Sequence, residues 1–175
     1  MGKPWEPKYF AKSLDALAKE ILSPKVYQKD GVQGLRRFDQ RILEFLDEFR
    51  YDVGIPLTVN TPWNGTFTQS GQRDNDFYGS YEKLFWSLSD HTRGAALDIK
   101  CSEGGHWLRK KFIEKEAYYY KKYGINFIEC GPLDSEGKTM SWFHCGIRFD
   151  FFGNPVYWSP ELKYVSKEKV LKDGL

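Results

Sequence analysis

The chain has 175 residues, enough for one domain with a substantial core and short for two. Its formal charge of +2, with Lys and Arg dispersed among Asp and Glu, leaves no basic stripe for nucleic acid, and no apolar run reaches the length of a membrane span. Thirteen Phe, eleven Tyr and six Trp supply a packed interior, which excludes a disordered chain.

In chain order, residues 9–22 predict a first helix with Phe10, Leu14, Leu17 and Ile21 on one stripe, stopped by Ser23-Pro24. A loop through Lys29-Asp30-Gly31 follows. Leu35, Phe38, Ile42, Phe45, Leu46 and Phe49 then define a second amphipathic helix, ended by Gly54-Ile55-Pro56. Leu57-Thr58-Val59-Asn60 reads as a short strand. Residues 61–88 are irregular but carry seven aromatics, the composition of an ordered cleft wall.

Leu97-Asp98-Ile99-Lys100-Cys101 alternates, sending Leu97, Ile99 and Cys101 to the core and Asp98 and Lys100 to the other face. Residues 106–123 predict a charged helix that stops at Gly124. Ile125–Cys130 and Trp142–Phe151 form the two arms of a hairpin around a polar turn. In the second arm Phe143, Cys145, Ile147, Phe149 and Phe151 face the core, and Trp142, His144, Gly146, Arg148 and Asp150 face away. Residues 153–175 read as a tail capping a sheet edge. The Lys-rich segments 109–122 and 163–172 read as solvated helix faces.

The three cysteines, Cys101, Cys130 and Cys145, form no disulfide framework and read as buried thiols. The opening Met1-Gly2-Lys3-Pro4-Trp5-Glu6 lacks an apolar leader, so synthesis in the cytoplasm is expected. Of three histidines, His106 follows Gly104-Gly105 at a helix start and reads as structural, or as a helper that supports the ligating residues from behind. The other two, His91 and His144, combine with Asp98 into a two-His, one-carboxylate set. Such a set leaves zinc a fourth, open position, the catalytic rather than the closed structural composition. A His-Asp pair orienting a general base stays open as an alternative. The nearby nucleophiles suit it poorly, because Cys145 faces the core and Ser89 has no elbow motif around it.

Ser89, His91, Gly94, Ala96 and Asp98 fit the pattern Ser-x-His-x-x-Gly-x-Ala-x-Asp. The pattern resembles that of the zinc D-Ala-D-Ala carboxypeptidase and L-alanyl-D-glutamate endopeptidase family, which includes many phage endolysins and shares its fold with the Hedgehog signalling domain. Trp142-Phe143-His144 is similar to that family's Trp-x-His strand, and Gly71-Gln72-Arg73 to its Gly-Tyr-Arg-like stretch. The resemblance covers roughly residues 35 to 150. It implies an α+β fold with a small antiparallel sheet carrying a zinc site, flanked by helices. The implied organisation is one domain over 1–175: N-terminal helices in 1–52, sheet and active site in 53–152, and the tail in 153–175.

The resemblance further implies His91, Asp98 and His144 as zinc ligands and Arg73 as a clamp for a substrate carboxylate, with a loop salt bridge as the alternative for Arg73; Ser89 either hydrogen-bonds substrate or orders the loop. Many members carry the catalytic acid three residues before the second His, where this chain has Ser141. The base is therefore expected to be Glu129, on the facing arm of the hairpin, or Glu136 in the turn. The implied activity is hydrolysis of an amide in peptidoglycan stem peptides by a monomer, in the setting of a phage lysis enzyme or virion component.

Overall fold

The computed structural model describes residues 5–9, 13–61, 65, 67–131, 141–149 and 154–175. Within them the protein is a mixed α/β structure in which helices pack on a five-stranded sheet. Helices α1 (Leu14–Ile21) and α2 (Pro24–Asp30) both begin at serines, Ser13 and Ser23, whose hydroxyls accept the N–H of Ala16 and Val26. Ser23-Pro24 therefore starts a helix as well as stopping one, because proline's fixed φ suits a first helical turn. The expected loop at 29–31 is instead the end of α2 and a 3-10 helix, Gly31–Arg37.

The central helix, α3 (Gln40–Val53), starts later than the apolar stripe suggests, because Asp39 caps it by accepting the Arg41 N–H. It ends at Gly54, whose φ of 68° is the left-handed stop. Residues 61–88 contain two short helices, α4 (Asn75–Tyr78) and α5 (Tyr81–Phe85). The expected helix over 106–123 divides at Lys115 into α6 (Gly104–Glu114) and α7 (Glu116–Tyr123). Phe45 and Phe49 of α3 meet Tyr119 edge-on at 5.2 and 5.7 Å, and Phe49 tilts on Phe143 of the sheet at 5.6 Å. This aromatic layer joins α3 to the sheet and is the centre of the core.

The strands are β1 (Ala96–Lys100), β2 (Phe127–Glu129), β3 (Trp142–Gly146), β4 (Val156–Ser159) and β5 (Lys163–Val165), in the order β1-β3-β2-β4-β5. The expected antiparallel sheet is a mixed one: β3 pairs antiparallel with β1 and β2, but β4 runs parallel to β2. The chain leaves β3, passes β2, and turns back along its far side, which fixes that direction. The last 22 residues accordingly supply two strands and helix α8 (Lys167–Asp173) rather than a cap, so the sheet extends beyond residue 152. The Leu57–Asn60 strand reduces to one bridge, Thr58 to Lys100. Phe149 is 72 % exposed rather than in the core, since regular pairing of β3 stops at Gly146. Phe151, Asp150 and Phe10 lie outside the described residues. All three cysteines are free, Cys130 and Cys145 buried and Cys101 partly so. Among the described residues no helix is long and apolar enough to cross a membrane.

Candidate metal centre

The register of the sheet builds most of the site. Asp98 on β1 lies opposite His144 on β3, His144 opposite Glu129 on β2, and Glu129 opposite Trp158 on β4. Directly paired residues share a face, so these four form one row across the sheet. The intervening Leu97, Ile99, Phe143, Cys145 and Ile128 point into the core and are buried. Alternation thus forces the polar members of the row away from the core, as the sequence predicts for Asp98 and His144.

His91 arrives from the turn before β1. Gly94 permits that turn: its φ is +64°, and a Cβ there would stand 2.1 Å from the Arg37 carbonyl oxygen. The His91 ring is set by its Nδ1, which donates to the Gly71 carbonyl at 2.7 Å and leaves Nε2 with its lone pair toward the row. His91 Nε2 stands 3.2 Å from His144 Nδ1 and 3.4 Å from Asp98 Oδ1. Donors held 2.0–2.1 Å from a tetrahedral ion are separated by about 3.3 Å. Those two spacings fit a shared cation. The third, His144 Nδ1 to Asp98 Oδ1 at 2.7 Å, is a direct hydrogen bond, and for Nδ1 to ligate a cation the neutral ring would carry its proton on Nε2 instead. The three side chains are all buried, and their ligand atoms lie within 4.8 Å of one another, so the group could hold a metal ion.

The protonation states agree with that use. Burial lowers the pKa of His91 and keeps the imidazole neutral. Burial alone would push Asp98 up, but His91 and His144 beside it outweigh that and hold it well below the usual carboxylate range. Neutral nitrogen and anionic oxygen are the forms that ligate.

Around the row lies a cleft of about 290 Å³ that reaches Arg73, Ser89, Glu129, Phe127, Trp158 and Arg148. Glu129 Oε2 is 4.0 Å from His144 Nδ1, and burial raises its carboxyl above the ordinary range. Arg73 stands over the Phe77 ring and gives one Nη to Asp98 Oδ2 at 3.4 Å. Ser89 reaches the cleft without being buried. Ser141 is exposed at the start of β3, outside this cleft, and Glu136 lies outside the described residues. His106 is elsewhere, its Nδ1 against the Leu175 carbonyl at 3.3 Å.

Three contributors escape sequence reasoning. Asp90, 2 % exposed, binds both Arg93 and Arg148. Trp158 comes from the segment read as a tail. Gly71 acts through its carbonyl, which no side-chain motif encodes. Arg148 did carry a signal, since alternation puts it on the same face as His144. Compared with known proteins, the chain matches no family model, no curated protein and no solved structure.

Proposed function

We propose that this chain is a zinc-dependent peptidase of the D-Ala-D-Ala carboxypeptidase and L-alanyl-D-glutamate endopeptidase type, with that family's fold, hydrolysing an amide bond in bacterial peptidoglycan stem peptides. The observation that carries the reading is the cross-strand row of Asp98, His144 and Glu129 joined by His91: a buried His-Asp-His donor set with a raised carboxyl, Glu129, beside it. Two imidazole nitrogens and one carboxylate oxygen suit zinc and leave it an open position. Zinc in such a set supplies Lewis acidity toward a carbonyl and acidifies water near neutral pH.

The chain's own residues do the rest. Gly71 holds His91 in the ligating tautomer. Glu129 takes a proton from the attacking water and passes it to the leaving amine, a task suited by a carboxyl tuned upward. Arg73 offsets the charge of Asp98 and meets negative charge on the substrate, and Ser89 hydrogen-bonds the peptide at the cleft rim.

Ser141, exposed where many members carry their acid, favours a second reading: a metal-holding binding module that does not cleave. One experiment separates the two. Zinc content is measured on the purified protein, and soluble fragments released from purified cell walls are identified by mass spectrometry. The peptidase reading expects one zinc per chain and muropeptide release. It also expects Glu129→Gln to keep its zinc while losing about 100-fold or more of the rate. Stoichiometric zinc with no fragment released by the unaltered protein would replace the enzyme with the binding module.

A further inference from the structure

Arg148 is fixed far more firmly than a solvated arginine requires. Asn126 grips its backbone from both sides, donating from Nδ2 to the Arg148 carbonyl at 2.7 Å and accepting the Arg148 N–H at 2.8 Å. Its Nε donates to the buried Asp90 Oδ2 at 2.5 Å, and its guanidinium carbon stands over Phe127, 3.3 Å from the ring centroid. Gly146, between Arg148 and His144 on this face, adds no side chain to the space.

What these contacts leave over is the outer fork. Among the described residues neither Nη nitrogen of Arg148 has a hydrogen-bond partner, and the side chain is 30 % exposed into the cleft that holds Glu129 and His144. Charge is left over as well. Arg93 already pairs with Asp90, so one anion and two cations leave +1, and of the two cations it is Arg148 that lines the cleft, beside Asp90. A preorganised planar fork whose end-on edge, the two Nη groups, is free is a geometry that takes a carboxylate bidentately. Arg73, across the centre, has part of its fork given to Asp98 and to the Gln69 carbonyl.

We propose that Arg148 is a specificity-determining residue that binds a free carboxylate of the substrate on the β2 side of the centre. Preferred substrates then carry an acid group close to the scissile amide. The inference rests on the peptidase reading only in that the substrate enters this cleft.

The test measures binding, so that it does not depend on turnover. Zinc-loaded Glu129→Gln protein is titrated calorimetrically with N-acetyl-D-alanyl-D-alanine and with its C-terminal amide. The acid is expected to bind about 10-fold or more tighter than the amide, and Arg148→Met in the same background to bring the ratio close to one. Arg148→Lys keeps a cation beside Asp90 without the fork and is expected to fall between them, which covers the case where the methionine variant misfolds. Equal binding of acid and amide to Glu129→Gln itself would overturn the proposal. So would an unchanged ratio in folded Arg148→Met or Arg148→Lys, or a ratio lost on Arg73→Met and kept on Arg148→Met. A protein that shows the expected ratio but whose unaltered form cleaves no wall would retain the anion site and lose the peptidase reading.

Discussion

At Asp98 two opposing effects meet on one side chain. Burial works against its charge, while His91 and His144 hold that charge in place, and Arg73 adds a cation at 3.4 Å. A buried carboxylate kept ionised here is stable only while His144 and Arg73 supply hydrogen bonds or a cation takes their place. Asp98→Asn keeps the shape and removes the charge. The expected result is a loss of zinc affinity of at least about 100-fold, read by competition with a chromophoric chelator. In the unaltered protein, zinc at 1,000 times its dissociation constant stabilises the fold by about 4 kcal/mol, roughly 10 °C in melting temperature. That rise should nearly vanish in Asp98→Asn. An undiminished rise would show that the ion binds elsewhere.

At the scale of elements, the site depends on how closely segment 70–73 lies against α1. The Gln72 N–H donates to the Ile21 carbonyl at 3.2 Å, and a Cβ on Gly71 would sit 2.0 Å from that same oxygen. The oxygen is backbone, so nothing flexible can yield. Gly71→Ala must push the segment off α1, and the carbonyl that sets His91 moves with it. The expected cost is about 2–3 kcal/mol, a melting temperature lower by roughly 5–10 °C, together with weaker zinc binding. A melting temperature within 1 °C of the parent, roughly the error of such a melt, would show that the approach is looser than described. The same contact shows where sequence reasoning stops. Periods of two and of three-to-four are readable when one face is buried, so β3 and the stripe of α3 were legible, and Asp98 and His144 with them. A carbonyl 20 residues upstream of His91 leaves no period. Nor does the parallel pairing of β4 with β2, which joins segments by long-range contact alone. Ser23-Pro24 was ambiguous for a different reason, because the same pair both ends and begins a helix.

For the molecule as a whole, α3 is the pillar between the N-terminal helices and the sheet, and its solvent side is tied to α7 by charge. Glu48 accepts from Lys122 Nζ and Tyr118 Oη, each at 2.6 Å, and from the Tyr123 hydroxyl, all 70 or more residues away. Burial pushes the Glu48 carboxyl up, but the hydrogen bonds from Lys122, Tyr118 and Tyr123 prevail and hold it at about 2, against an ordinary 4.5. The folded state therefore binds fewer protons than the unfolded one between those values. Its stabilising share is full above about pH 4.5 and is lost as the pH falls toward 2. The pair lies near the surface and is partly screened, so that share is about 1 kcal/mol, roughly 2–4 °C. Glu48→Gln should melt lower than the parent by that amount at pH 7 in low salt. The gap should close as both are acidified from pH 4.5 toward 2, because only the parent has a carboxylate to protonate. Thermal melts of the two proteins across that range decide the matter. A gap that stays constant with pH would mean that Glu48 stabilises by packing alone and that the α3–α7 tie is not electrostatic.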